Sequence, residues 1–243
     1  MADRHPEIDV ETHDEPHDES LAARLNWLRA SVLGANDGIV STAGVVVGVA
    51  GATGDKGAIM LAGIAALAAG AMSMAAGEYV SVSTQRDSER ALLTLERREL
   101  AEDPTGELEE LTQLYQAKGI RRDLAEQVAH ELTEHDALAA HAEVELGIDP
   151  DRLTNPWHAA WASMAAFTIG ALLPLLTITF APPAVRMLVT VVAVMVALTL
   201  TGWVSARLGR SPSGRAVVRN VSGGLLAMGV TYVIGSLVGT HVG

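Results

Sequence analysis

The chain has 243 residues, of which 49% are hydrophobic and 4% are aromatic, and it has no cysteine. The lack of thiols excludes disulfides, thiolate metal sites and cysteine nucleophiles. The formal net charge of −12 makes nucleic acid an unfavourable partner and cations favourable ones.

The acidic charge is concentrated in two polar regions. Residues 1–23 hold eight acids and one Arg, residues 85–155 hold 18 acids and eight bases, and the rest of the chain holds three acids. Residues 1–23 lack an apolar core after a basic start, so no cleavable signal peptide is predicted there. Their composition is typical of a disordered, solvated tail. Loose metal binding by its three His and eight acids is the alternative.

The remaining apolar residues fall in blocks about 20 long, the length that crosses a bilayer as a helix. Pro and Gly mark the joints between blocks, as in GATGDKGA, FAPPA and RLGRSPSGR. The sequence therefore predicts an all-α membrane protein, with two spans in residues 24–84 and three in residues 156–243. The five predicted spans are 31–53, 58–82, 158–181, 184–206 and 217–240.

Lys and Arg near the span ends indicate the orientation. They cluster before the first span, after the second, before the third and between the last two, whereas the opposite ends carry only Lys56 and Arg186. Because positive charge marks the cytoplasmic side, we expect a cytoplasmic N-terminus and 85–155 insert, and an outside C-terminus. The membrane is predicted to be a bacterial plasma membrane. The alternative topology has four spans plus one buried soluble helix. It would break the alternation of positive charge between the two sides of the membrane.

The insert is predicted to form a small three-helix bundle. Residues 83–102 contain no Pro or Gly, so the second span should continue into them as one rod, which DPTGE then breaks. A second helix is predicted at about 106–118 and a third at about 121–146, each followed by a Gly that is typical of a helix C-terminus.

Acidic side chains recur along these helices at spacings that favour a shared face. Carboxylate and imidazole ligands without thiolate suit Fe²⁺, Mn²⁺ or similar ions. Solvated faces of amphipathic helices remain the alternative, since single Glu-x-x-Glu pairs are common. The candidate ligands are Glu96, Glu99, Glu102, Glu107, Glu110, His141 and Glu145.

Two carboxylates lie inside predicted spans, where ionisable groups are costly and usually face a bundle interior or water. Asp37 lies in GANDGIVSTAGVVVGVAG beside Asn36, and Glu78 lies in MSMAAGEYVS after Met74. A carboxylate that binds either a proton or a cation is the minimal device for exchange transport. Capping of a helix kink by Asp37 is the alternative, and the small-xxx-small glycines of the first span favour close helix packing.

These motifs together resemble the vacuolar iron transporter family. The resemblance rests on NDGIVSTAGVVVGVAGA, AGAMSMAAGEYVSVSTQRDSE, ERRELAEDPTGELEEL and VELGIDP, and it covers nearly the whole chain after residue 24. It implies a homodimer of five-helix subunits that moves Fe²⁺, and in some members Mn²⁺, out of the cytosol in exchange for protons. It also implies a transport path at the dimer interface, with the first spans lining it.

The resemblance assigns roles to several residues. Asp37 and Met74 match metal-pathway residues, while the two Glu-x-x-Glu pairs of the insert and the Glu before LG match a cytoplasmic metal-binding domain. This chain departs from plant-type members, which have a Met pair where it has His141 and Ala142. His141 is therefore a candidate substitute ligand. The matching insert residues are Glu96, Glu99, Glu107, Glu110 and Glu145.

We therefore expect an exporter of Fe²⁺ or Mn²⁺ in which the metal is a substrate and no permanent cofactor is present. Two other classes remain open. A membrane-anchored ferritin-like iron oxidase would use paired Glu-x-x-His motifs, whereas this insert has Glu-x-x-Glu pairs. A metal-sensing scaffold would use its spans only as an anchor. A passive anchor does not require an acid inside a span, so Asp37 argues against this class.

Overall fold

A computed structural model describes residues 21–151, 153–209 and 211–242. The predicted acidic tail lies outside these residues, apart from its last three positions, which belong to the first helix. The described chain is all-helical. Its α-helices are α1 (Leu21–Ala52), α2 (Lys56–Glu102), α3 (Pro104–Ala117), α4 (Arg122–His141), α5 (Pro156–Phe180), α6 (Arg186–Leu208) and α7 (Ser213–Val242).

Five of these helices, α1, α2, α5, α6 and α7, are long and apolar enough to cross a membrane. Each covers one predicted span, and the helix ends differ from the span ends by one to four residues, except that α1 begins ten residues earlier and α2 continues 20 residues further. Their surfaces carry many exposed large aliphatic side chains, as expected for helices that face lipid. The chain is an integral membrane protein, and the all-α prediction is confirmed.

Helix α1 lies at the centre of the membrane bundle and packs against all four other spans, most extensively α5 and α7. Glycines permit this close approach. A Cβ at Gly38 would collide with the Phe167 carbonyl of α5, and one at Gly34 would lie 2.9 Å from the Ser163 carbonyl oxygen. The packing role predicted for these glycines is therefore confirmed.

Helices α2 and α7 flank α1 on two sides without contacting each other in the described residues. Part of the α1 surface is consequently left uncovered between them. This uncovered face forms the floor of the gap. Its residues recur at helical spacing and are Leu33, Asn36, Asp37 and Val40.

Helix α2 is a single rod of 47 residues, about 70 Å long at 1.5 Å per residue. A bilayer core of about 30 Å accommodates less than half of it, so the polar half extends beyond the membrane as predicted. Asp103 ends the rod and begins the next helix, because its Oδ1 accepts a 2.9 Å hydrogen bond from the Gly106 N–H of α3. The predicted break at DPTGE is therefore confirmed.

Aromatic side chains mark the end of the bundle from which the polar half of α2 extends. The rings of Tyr79 and Trp157 lie 4.7 Å apart between centroids, and the Arg207 guanidinium lies 5.3 Å from the Trp203 ring. Tyr and Trp are enriched at membrane–water interfaces. Met74 lies five residues inside Tyr79, about 7.5 Å along the helix.

The insert packs α3 and α4 against each other around Leu111, Ala129 and Ala140. Helix α4 is kinked at Asp136, whose backbone is non-helical with φ −160° and ψ 95°. The Asp136 Oδ1 accepts a 2.9 Å hydrogen bond from the Ala139 N–H and so begins a new helical segment. A π-helical turn, Ala142–Leu146, follows, and Gly147 ends it with φ +65°. The predicted end at Gly147 is confirmed, whereas the kink was not predicted.

Candidate functional site

Glu96 is the buried carboxylate of the insert, with only 3% of its surface exposed. It lies on the polar half of α2, one turn beyond the buried Leu93, on the face that α3 and α4 cover. A buried carboxylate is costly unless it is paired or coordinates a cation. This position therefore requires partners from the covering helices.

His141 supplies the first of these partners and is fully buried. Its Nδ1 lies 3.0 Å from the Glu96 Oε1 and 3.6 Å from the Glu107 Oε2 of α3. The Glu145 Oε2, one turn further along the chain, lies 3.9 Å from the same nitrogen. Side chains from α2, α3, α4 and the π-helical turn thus converge on one small region.

These short distances do not correspond to hydrogen bonds. Both ring nitrogens of His141 and the Oε1 of Glu96 are buried and have no hydrogen-bond partner. Buried polar atoms are nearly always hydrogen-bonded, so each exception requires an explanation. Potential ligand atoms that lie close together without hydrogen bonds have the arrangement of a metal site. Glu96, Glu107 and His141 each offer such an atom, and these atoms all lie within 4.8 Å of one another.

The electrostatics of the centre favour a cation. Burial is the main cause that raises the pKa of Glu96 to about 7, and the charges of neighbouring carboxylates, Glu145 first, contribute the rest of the shift. Burial is also the main cause that raises the pKa of Glu107, followed by the charge of Glu110, while His141 opposes the shift. A divalent ion would remove the repulsion among these carboxylates.

The structure separates the predicted insert ligands into three groups. Glu96, Glu107 and His141 form the centre, with Glu145 at its edge. Glu99 and Glu110 are exposed, yet their charges raise the pKa of Glu96. The third group is Glu102 alone.

Glu102 is not brought to the centre. It forms an exposed ion pair with Arg98 at 2.9 Å. The physical reason is helical phase, because each step of three residues falls about 60° short of a full turn. Glu102, two such steps from Glu96, therefore faces a different side of α2.

The second candidate site is the gap between α2 and α7, which holds an open cavity of about 440 Å³. Its floor on α1 carries Asn36 and Asp37, and its α2 wall carries Met74. Asn36 also accepts a 3.4 Å hydrogen bond from the Thr201 hydroxyl of α6. Three of the four predicted pathway residues therefore line one cavity and offer amide, carboxylate and thioether groups to it.

Glu78, the fourth predicted pathway residue, does not line this cavity. It lies half-buried on α2, one turn beyond Met74 and nearer the polar end of the rod. The remaining wall comes from α7, which contributes Arg219, Asn220, Gly223 and Gly224. Arg219 lies within the predicted span 217–240, yet in the sequence it counted only among the positive charges near the last two spans that indicate the orientation. An arginine inside a predicted span was the signal that could have identified this wall.

The chain was compared with known protein families. A model of the VIT family matches residues 28–236. The chain belongs to the VIT family. The resemblance seen in the sequence motifs is thereby confirmed.

Relatives of this VIT family member include proteins from an amoeba and from plants. The vacuolar iron transporter of Acanthamoeba castellanii is 41% identical over 96% of this chain and 85% of its own length. Vacuolar iron transporter homolog 2 of Arabidopsis thaliana is 36% identical over 96% of this chain and 94% of its own length. Vacuolar iron transporter homolog 5 of Oryza sativa is 37% identical over 93% of this chain and 88% of its own length. These relatives are named as transporters, and the chain is not an enzyme.

Proposed function

We propose that this protein exports Fe²⁺ from the cytosol in exchange for protons, with Mn²⁺ as an alternative cargo. The observation that carries the proposal is that one helix, α2, bears a candidate metal ligand at each of two levels. Glu96 belongs to the buried centre of the insert, and Met74 lines the membrane cavity. The names of the matched relatives support iron as the cargo.

In this proposal the insert collects the ion. Two carboxylates and one imidazole suit borderline-hard divalent ions such as Fe²⁺ and Mn²⁺. Glu99 and Glu110 add negative charge around the mouth of the centre, which raises the local concentration of cations. Glu78 lies on α2 between the insert and the cavity, where it would receive the ion from the insert.

The membrane cavity then passes the ion across. Asp37 offers a carboxylate that either coordinates the cation or carries a proton, so occupancy by one excludes the other. Met74 provides a soft thioether and Asn36 an amide oxygen. Protons that enter from the outside would neutralise Asp37 and release the ion outward. This alternation couples the two fluxes.

We propose that two copies of the chain face each other across the open side of the cavity and form a homodimer. The cavity is bounded by one chain on three sides only, which leaves room for a second copy to complete it. The N-terminus and the insert would lie in the cytoplasm, as the distribution of Arg predicts. The relatives are named for the vacuole; for this chain we propose a bacterial plasma membrane.

Purified protein in liposomes tests the proposal, with a metal-sensitive dye inside and an imposed pH gradient. We expect uptake of Fe²⁺ and Mn²⁺ that depends on the gradient, and its loss in Asp37→Ala. Asp55→Asn is the matched control, because Asp55 is an exposed acid that caps α2 and Asn retains the cap.

Each failure removes a different part of the proposal. Full uptake by Asp37→Ala would exclude a path through this carboxylate. Uptake that ignores the pH gradient would exclude proton exchange and leave a channel. Normal uptake at low metal by Glu96→Ala/Glu99→Ala would exclude a collecting role for the insert.

A further inference from the structure

The membrane cavity has a third wall, on α7, that the proposed function does not use. Asp37 and Arg219 are the two ionisable side chains that line the cavity in the described residues. They belong to different helices and carry opposite charges. No ion pair within 4.0 Å joins them, so the carboxylate and the guanidinium face the same space without direct contact.

The cavity that these two charged side chains line is large enough for a hydrated cation. The cavity has a volume of about 440 Å³, whereas six water molecules at about 30 Å³ each occupy about 180 Å³. An arginine and an aspartate beside lipid are each costly without a counter-charge. Across this cavity, each is the nearest available counter-charge of the other among the lining side chains.

A glycine on the same wall keeps the space open. A Cβ at Gly223 would meet no atom within 4 Å, whereas one at the neighbouring Gly224 would collide with Leu198. Helix packing therefore explains Gly224 and does not explain Gly223. The bare surface at Gly223 leaves the cavity unfilled beside Arg219.

We propose that α7 forms a wall of the cation path and that Arg219 is a tethered counter-cation for Asp37. The inference rests on the proposed path through Asp37. When the cavity holds no metal, the guanidinium neutralises the carboxylate across the cavity. An arriving divalent ion takes over that role, and the fixed positive charge nearby keeps the ion from binding too tightly. Arg219 is thus a positioning residue that sets how readily the ion leaves.

Uptake kinetics of Mn²⁺ in liposomes test this role. In Arg219→Gln we expect the KM to fall about three- to tenfold, because a repulsive charge beside the cation is removed. The maximum rate should fall by a similar factor, because a more tightly held ion leaves more slowly. Arg219→Lys keeps the charge and should restore both values.

Arg215 provides the matched control. It lies one helical turn before Arg219 on α7 and is exposed, as Arg219 is, but it does not line the cavity. Arg215→Gln should change neither the KM nor the maximum rate. An arginine that serves only as a contact to lipid headgroups would give Arg219→Gln the same behaviour as Arg215→Gln, and that result would overturn the proposal.

A second pair of variants tests the wall without removing a charge. Gly223→Val should lower the maximum rate because its side chain fills the cavity. Gly229→Val is its control, since a Cβ at Gly229 also meets nothing within 4 Å and this residue does not line the cavity. Equal rates in the two variants would exclude α7 as a wall of the path, including when Arg219→Gln fails to fold.

Asp37→Ala, measured in parallel, distinguishes the two levels of failure. Full uptake by Asp37→Ala would remove the proposed path itself. Loss of uptake in Asp37→Ala, together with wild-type kinetics in Arg219→Gln, would remove only the role of Arg219.

Discussion

The insert centre and the membrane cavity are both candidate cation sites that contain carboxylates, but they are built in opposite ways. In the insert, Glu96 and His141 are buried, and Glu107 reaches them from a third helix. In the membrane, Asp37 faces an open cavity with Arg219 on another wall. The insert centre concentrates candidate ligands, two of which are buried, whereas the membrane cavity has few candidate ligands and a positive charge.

This difference matches two different tasks under the proposed function. Collecting a scarce ion requires several ligands held in advance of binding, because preorganisation reduces the cost of binding. Passing an ion requires that each site bind weakly enough for the ion to leave. A cavity with a single acid and a nearby fixed cation satisfies the second requirement. Variants of each region therefore sharpen or break the comparison.

The largest effect is expected for Asp37→Ala. Uptake into liposomes should fall ~100-fold or more, because the cavity loses the one carboxylate that lines it in the described part of the chain. Metal binding by the insert, measured by calorimetry on the same detergent-solubilised protein, should not change. Loss of binding at the insert in this variant would break the separation of the two regions.

His141→Ala should have the opposite effect to Asp37→Ala, with weaker metal binding by the insert and retained uptake. The affinity of the insert for Mn²⁺ should fall about 100-fold through loss of a buried ligand, while uptake at saturating metal is retained. His130→Ala is the control, because His130 lies on the same helix with its side chain exposed beside Glu134. Equal affinities for the two variants would exclude His141 as a ligand.

The pKa of Glu96 predicts a pH effect confined to the insert. In the metal-free protein this pKa is about 7, against an ordinary value of 4.5. The unfolded chain releases the proton first, so the free energy of unfolding should decrease as pH rises from about 4.5 to 7, by at most about 3 kcal/mol.

Glu96→Gln should reduce this pH dependence, because the neutral amide has no proton to lose, and the part that remains comes from Glu107, whose pKa is also raised. Thermal unfolding of metal-free protein at pH 5 and pH 8 measures the effect, and the variant should be more stable than wild type at pH 8. Added Mn²⁺ should stabilise wild type and not the variant. A variant with the wild-type pH dependence would show that another group is responsible.

Asp136→Ala should have a smaller effect on the same centre. Loss of the cap at the kink should cost about 1 kcal/mol, which corresponds to about a fivefold loss of metal affinity if the cap positions His141. Asp136→Asn retains a capping oxygen and should restore the affinity. If both variants bind metal as wild type does, the kink has no part in building the site.

The smallest effect is expected for Glu102→Gln. Glu102 is exposed and paired with Arg98, and such surface pairs contribute about 0–1 kcal/mol. Metal affinity should not change, whereas Glu99→Gln on the same helix should lower it measurably by removing charge near Glu96. A larger loss in Glu102→Gln than in Glu99→Gln would contradict the observed phase of α2.

Sequence alone was sufficient for the helices of this protein and their joints, apart from the kink and the π-helical turn of the insert. The five spans follow from apolar length, and the joints follow from Pro and Gly, because these properties are local to each segment. The continuous rod of α2 and its break at Asp103 were predictable for the same reason. The motifs around Asp37 and Met74 also indicated the family.

Tertiary structure decided which side chains act together. Glu96 and Glu102 have similar sequence environments, but only Glu96 lies on the face that α3 and α4 cover. The packing of α4 against α2 brings His141 beside Glu96, and the gap between α2 and α7 brings Arg219 to the cavity of Asp37. These outcomes depend on helical phase and on contacts between segments distant in the chain, which no local pattern records.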